Sequence, residues 1–557
     1  MAIPSVLRGR ESTSSDKSKD SAAAPHLAND QFPVTASSGQ QYGKAQVVSV
    51  RTISMLVIVS LGGLIFGFDT GQISGFVAMP NFVKNFANNG TKFSNVREGT
   101  IVGLLSIGTL VGSVAAGPIA DAFGRKKSII TWCVVFIIGV IIQIATMTSW
   151  IQIAVGRLVA GFGVGGLSVL TPMYQSETAP RQVRGAMISA YQLFITFGIF
   201  LAYCINYGTE AIQSRASWRI TMGIGFIFPT VMIAGIMFLP ESPRWEYRKG
   251  RIDSCRTTIA KSYGVPEDHP EVVKELHDIK EKFDAEMVNG VKAPWYEVFT
   301  GPRMAYRTLL GITLQALQQL TGANFFFYYG TSIFTSIGLS NSFVTSMILG
   351  GINFGSTFPG LYVVEHFGRR KALITGGLCM FVCFMIFASV GSFSLQPTAT
   401  TDAAGTITYH NKTAGTVMIV FTCLFIVSYA MTWGPIVWAL VAEIYPSQYR
   451  ARSMGFATAS NWIWNFLISF FTPFIVSDIN FRYGYIFAAC CFAGAVIVYL
   501  FVCESQGRRL EEIDTMYVTK VPPWRSSKWV PPADLLEGDK KVEGEQRDGD
   551  MERVEKV

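Results

Sequence analysis

The stretch Asp121-Ala-Phe-Gly-Arg-Lys-Lys-Ser-Ile-Ile-Thr131 returns roughly 240 residues later as Glu365-His-Phe-Gly-Arg-Arg-Lys-Ala-Leu-Ile-Thr375, each copy set between two long apolar runs. Two further echoes follow in the same order. Glu177, Pro180, Gln182 and Arg184 recur as Glu443, Pro446, Gln448 and Arg450, and Pro240-Glu-Ser-Pro-Arg244 recurs as Cys503-Glu-Ser-Gln-Gly507. A chain that repeats three motifs in order, at similar offsets, consists of two copies of one half. If the charged motifs recur on one side of a membrane, each half makes an even number of crossings, which is a parallel internal repeat.

The membrane reading rests on composition and block length. Half of the 557 residues are apolar and only 15% are charged, too few to clothe soluble domains of this total size. The apolar residues come in blocks near twenty, the length a helix rising 1.5 Å per residue needs to cross about 30 Å of hydrocarbon. Twelve blocks stand out, near 53–78, 100–120, 127–148, 151–173, 186–206, 219–239, 308–332, 343–363, 371–392, 416–440, 453–476 and 484–503. The expected fold is an all-α membrane protein, twelve transmembrane helices in two pseudo-symmetric six-helix bundles. The expected partition is a disordered tail over 1–50, bundles over 51–243 and 307–505, short linker helices over 244–306 and a charged tail over 506–557.

The net charge of +8 is placed for a membrane, not for nucleic acid. Arg125, Lys126, Lys127, Arg181, Arg184, Arg369, Arg370, Lys371, Arg450 and Arg452 fall in even-to-odd loops, whereas odd-to-even loops carry few cations, among them Lys84, Lys92, Arg97 and Lys412. The positive-inside rule then puts both termini in the cytoplasm. The sequons at Asn89 and Asn411 fall in loops assigned outside, where glycosylation is expected. The nine cysteines lie mostly in apolar blocks without metal-ligand spacing and read as packing residues. The first fifty residues lack the basic start, apolar core and cleavage pattern of a signal peptide.

Gly161-Phe-Gly-Val-Gly-Gly166 fits a dinucleotide fingerprint letter by letter, but it sits inside the fourth span with no strand before it, where glycines serve close helix packing. Ionisable groups at membrane depth carry more information, since each costs about 2.5 to 3.5 kcal/mol near the bilayer centre. Asp69, in Phe66-Gly-Phe-Asp-Thr-Gly71 of the first span, has its natural partner in Arg157 of the fourth. The pair reads either as a proton switch or as a static lock between helices. Gln192, Gln318, Gln319, Asn324, Asn353, Asn461 and Asn465 add uncharged donors and acceptors at similar depth, and Trp438 adds an aromatic face. That set suits a neutral, hydroxyl-rich ligand such as a sugar, each hydroxyl being donor and acceptor at once. Gly434-Pro435 in the tenth span marks a break and a candidate hinge.

These motifs together resemble the sugar porter branch of the major facilitator superfamily, and most closely the fungal hexose transporters, from about residue 53 to 515. The resemblance implies alternating-access transport of a monosaccharide across the plasma membrane. Gln192, Gln318, Gln319, Asn324, Asn353, Trp438 and Asn461 or Asn465 would hold the sugar, and Tyr328 and Tyr329 would gate its outer side. Asp121, Arg125, Glu177, Arg184, Glu241, Glu365, Arg369, Glu443, Arg450 and Glu504 resemble a cytoplasmic charge network that holds the outward-facing state. Asp69 and Arg157 resemble the coupling pair of sugar-proton symporters, so proton symport is the expectation, with a facilitative uniporter and a transporter-like glucose sensor as alternatives. The expected partners are the sugar, protons and the bilayer, with a monomer as the working unit. No cofactor, metal or enzymatic activity is expected, since no nucleophile with a base, metal-ligand spacing or phosphate loop occurs in a credible context.

Overall fold

A computed structural model describes residues 50–530 apart from 89, 91, 181–183, 289–295, 337–340, 396–398, 402–406, 410, 447–448 and 509. Among the described residues, ten continuous helical stretches are long and apolar enough to cross a membrane; one of them, Arg452–Phe501, is 50 residues long. That stretch holds two crossings, Arg450–Ile479 and Tyr483–Phe501, joined by the 3-10 turn Asn480–Arg482. The seventh crossing is interrupted, Met304–Leu320 followed by Ala323–Ser336, and completes the twelve.

The first half therefore runs Val50–Ala78, Asn95–Phe123, Arg125–Ile144, Trp150–Thr178, Arg184–Thr209, and a sixth span formed by Ala216–Ile224 and Ile227–Phe238. The second continues after its broken seventh span with Ser342–His366, Arg369–Ser389, Lys412–Met431 extended by Trp433–Glu443, and the last pair. Small residues set the helix spacing within a half. A Cβ on Gly161 would stand 2.3 Å from the Leu105 carbonyl of the second span, and one on Gly166 would stand 2.2 Å from the Trp132 ring of the third. The glycine run thus lets the fourth span touch two neighbours at backbone distance, as expected of small residues in membranes.

Between the halves lie the helices Pro243–Arg248, Ile252–Tyr263, Pro270–Val288 and Glu297–Thr300. They carry a small core of their own, in which Cys255, Ile259, Val272 and Leu276 are buried. Burial pushes the Cys255 thiol up to about 12, so it packs and does not react. A two-stranded ladder, Ala399–Thr401 with Ile407–Tyr409, precedes the tenth span and is a small addition to the all-α expectation.

The reading of residues 506–557 as nothing more than a charged tail needs correction. Leu510–Val518 is a helix that buries Ile513, Met516 and Tyr517, an i, i+3, i+4 face, against the second bundle. Its Asp514 carboxylate accepts from Arg307 at 2.5 Å, the Asp514 carbonyl accepts a second bond from Arg307 at 2.9 Å, and the guanidinium lies 5.1 Å from the centre of the Tyr517 ring. The segment that closes over this fully buried arginine at the start of the seventh span thereby engages both of its terminal nitrogens, while its Nε has no hydrogen-bond partner among the described residues. Charge density hid this short amphipathic turn in the sequence. Residues 1–49 and 531–557, the ends of the two expected tails, lie outside the described residues.

Candidate functional site

The break in the seventh span places its amides. Gly322 sits at φ +86°, a left-handed conformation that ends Met304–Leu320 and restarts the chain as Ala323–Ser336. Gln318 and Gln319 occupy the last turn before the break and Asn324 the first turn after it. Gln318 donates to the carbonyls of Trp433 and Gly434, at 3.1 and 2.9 Å, beside the break in the tenth span where Thr432 leaves helical geometry. Asn461 of the eleventh span donates to the side chains of Gln315 and Gln318, both at 2.7 Å, and accepts from Gln319 at 2.8 Å. Gln319 in turn accepts from Asn324 at 2.5 Å and from Asn465 at 3.5 Å. Five of the expected residues thus form one network, with Gln315 as a sixth member. Gln315 lies one helical turn before Gln318 and Gln319, and the i, i+3, i+4 rule applied to that face identifies it.

The network reaches across to the first half. Ser106 of the second span donates to Asn465 at 2.6 Å, and Tyr328 donates to the same oxygen at 3.2 Å. Further bonds join the halves between the midplane and the end remote from the repeated charged motifs: Ser74 with Thr331 at 3.0 Å, Tyr203 to the Phe327 carbonyl at 2.9 Å, Asn95 to Ser477 at 2.9 Å, and Asn341 to Glu210 at 3.2 Å. Tyr329 donates to the Ser469 carbonyl, and both tyrosines are buried. The second and eleventh spans touch so closely at this end that a Cβ on Gly99 would meet the Phe470 carbonyl at 2.4 Å. At the other end of the same two helices, positions 117 and 455 have nothing within 4 Å of a Cβ. The second and eleventh spans, one from each half, thus meet at backbone distance at the tyrosine end and leave these two positions open at the charged end.

Gln192 and Asn353 lie on the fifth and eighth spans, each one turn from the residues of the Thr196–Thr357 contact between halves, which is 3.2 Å long. Neither side-chain amide hydrogen-bonds among the described residues, and Gln192 is half-buried while Asn353 is buried. Trp438 is half-buried, on the helix whose opening carbonyls Gln318 holds, and no described contact joins its ring to the amides.

Asp69 and Arg157 are both fully buried, with the carboxylate 3.7 Å from the guanidinium. That is an ion pair without a direct hydrogen bond. The second Asp69 oxygen accepts from Gln72, one turn away, at 2.6 Å. The three Arg157 nitrogens have no hydrogen-bond partner among the described residues, so the pair is loosely held at its cationic side.

The charged motifs form two clusters of matching design. Glu241 accepts from the backbone N–H groups of Arg125 and Lys126, at 2.9 and 3.1 Å, and so caps the third span. Glu504 accepts from the N–H groups of Arg369 and Arg370, at 2.8 and 3.5 Å, and caps the ninth. Glu177 takes the Arg125 side chain in a fork, at 2.9 and 3.1 Å, and the Ser242 hydroxyl also donates to it. Glu443 takes Arg369 at 3.1 Å and Ser505 at 2.5 Å. The serines of both Glu-Ser pairs, overlooked in the sequence beyond their repetition, therefore have the same task. Asp121 adds an i, i+4 pair to Arg125 at 3.0 Å, but its counterpart departs from the expectation. Glu365 is exposed and forms no ion pair among the described residues, although Arg369 donates to the Val364 carbonyl at 2.8 Å just as Arg125 donates to the Ala120 carbonyl at 3.1 Å. Arg450 donates to the Tyr445 carbonyl at 3.3 Å. Each of these ion pairs stays within one half. Asn89 and the Arg184 side chain lie outside the described residues; Asn411 is described and caps the tenth span by accepting from the Ala414 N–H at 3.1 Å.

A family model described as sugar (and other) transporter matches residues 55–517. Among similar chains, a low-affinity glucose transporter of Kluyveromyces lactis is 47% identical over 480 residues, covering 85% of this chain and 84% of the relative. A high-affinity fructose transporter of Schizosaccharomyces pombe is 45% identical over 489 residues, covering 86% and 89%. Among solved structures, a partially occluded inward-open form of the xylose transporter XylE from E. coli is similar with a TM-score of 0.68, at 24% identity, covering 83% of this chain and all of that one. The proton:xylose symporter XylE bound to 6-bromo-6-deoxy-D-glucose follows with a TM-score of 0.67 at 25% identity, covering 84% and 99%.

Proposed function

The chain belongs to the sugar transporter family, and on that premise we propose that it carries a monosaccharide, glucose or a related hexose, across the plasma membrane by alternating access. The observation that carries the site is the amide network at the break of the seventh span, held by Ser106 of the opposite half. Its bonds are amide to amide, and a sugar hydroxyl exchanges for an amide one for one, since both donate and accept. Gln192 and Asn353 add amides that have no hydrogen-bond partner among the described residues, and Trp438 offers a ring for the apolar face of the sugar. Closure at Tyr328 and Tyr329 with opening at the charged end describes one of the two states, and positive-inside reasoning makes it the inward-facing one, with both termini cytoplasmic. In that assignment, residues 51–243 and 307–505 are the moving bundles, 244–306 link them, the charge clusters stiffen the cytoplasmic end of each, and one chain is the working unit.

Asp69 and Arg157 supply the proton coupling in this reading. A carboxylate 3.7 Å from its cation, with no direct bond, is placed to exchange partners as the bundles move. Asn411 tolerates a glycan, because an N-linked amide keeps the carbonyl oxygen that caps the helix. The test of the site is hexose uptake by the Gln318→Ala, Asn324→Ala double variant in a transporter-deficient cell: a large loss of affinity is expected, and unchanged uptake and affinity would remove the amides from the site. For coupling, sugar-induced alkalinisation of the medium should vanish in Asp69→Asn; its absence from the unaltered protein would instead make the chain a uniporter.

A further inference from the structure

Beyond the short docked helix, the chain folds once more. Pro523–Lys528 is a 3-10 turn held against the end of the last span. The Ser526 hydroxyl accepts from the Glu504 N–H at 2.9 Å, and Arg508 donates to the carbonyls of Ser526 and Trp529, both at 2.9 Å, while covering the Trp529 ring. Pinned in this way, the segment turns Lys520, Trp524, Arg525, Lys528 and Val530 outward, with Trp524 53% and Val530 72% exposed. None of the three cations pairs with a carboxylate among the described residues.

The anchor fixes the depth. Glu504 lies just past Phe501, where the last span ends, and Tyr499, Leu500 and Phe501 of its final turn are exposed, as lipid-facing side chains are. The cations and the tryptophan therefore stand where hydrocarbon gives way to headgroups, the level at which tryptophan concentrates in membrane proteins. We propose that residues 520–530 form a docking surface for acidic phospholipid headgroups of the adjoining leaflet. The cations take the headgroup, and Trp524 and Val530 take the upper part of the acyl chains. That combination of charge and exposed apolar surface fits a lipid better than a soluble anion. Three surface cations multiply affinity for acidic lipid by on the order of a hundredfold, and salt weakens the effect.

The test is native mass spectrometry on the purified full chain in neutral detergent, titrated with short-chain phosphatidylserine, with phosphatidylcholine and inorganic phosphate as parallel arms. Phosphatidylserine should bind at a concentration at least about tenfold lower than phosphatidylcholine, be unaffected by millimolar phosphate, and weaken steeply between about 0.05 and 0.5 M salt. The Lys520→Gln, Arg525→Gln, Lys528→Gln variant should lose that preference while its hexose uptake in neutral-lipid vesicles stays within about twofold. Equal phosphatidylserine binding by the variant, displacement by phosphate, or indifference to salt would overturn the proposal.

Discussion

At the residue scale, Gln318 and Asn461 are the hubs of the amide network on which the proposed site rests. Gln318 uses its N–H groups on the two carbonyls at the tenth-span break and its oxygen on Asn461, so Gln318→Ala leaves several buried partners unsatisfied. We expect a rise of about fivefold to 150-fold in the sugar KM, measured as initial uptake rates, from the roughly 1 to 3 kcal/mol that an orphaned buried polar group costs. Gln315→Leu should lower affinity as well, because it frees one N–H of Asn461, and unchanged kinetics would show that Gln315 only packs. Much of this was legible in the sequence: Gln318, Gln319, Asn324, Asn461 and Asn465 announce themselves as amides in apolar spans. Gln315 and Ser106 did not, because a hydroxyl or a lone amide at helical spacing is ordinary until the partner helix is known.

At the element scale, the broken seventh span and the docked C-terminal helix carry the design. Gly322 combines φ +86° with a Cβ position 2.7 Å from the Phe487 ring, so alanine there meets both backbone strain and a clash. Gly322→Ala should lower thermal stability in detergent and reduce uptake more than Gly455→Ala, a glycine whose Cβ would meet nothing. Asp514→Ala removes the carboxylate from a fully buried Arg307 and should destabilise the protein by about 1 to 3 kcal/mol, read as an earlier thermal transition, with Asp514→Asn in between. The span blocks and the linker helices were readable from hydropathy and period. The helix Leu510–Val518 was not, since a nine-residue stretch with three acids, in a charged segment, looks like tail until Arg307 is found beneath it.

At the scale of the whole molecule, the repeat predicted two like halves, and the capping glutamates Glu241 and Glu504 show how closely the copies correspond. Which end the halves close on was not legible, because closure depends on contacts between helices far apart in sequence, such as Asn95 with Ser477. Cysteines at those two positions, oxidised to a disulfide, should hold the tyrosine end shut and stop uptake, with recovery on reduction; continued uptake after complete cross-linking would mean that this end does not open during transport. The account as a whole is tested most directly by hexose flux into liposomes that contain only the purified chain. It predicts saturable entry of D-glucose well above that of L-glucose, abolished by that cross-link. Stereospecific binding with no flux above empty liposomes would contradict it and leave a sensor in place of a transporter.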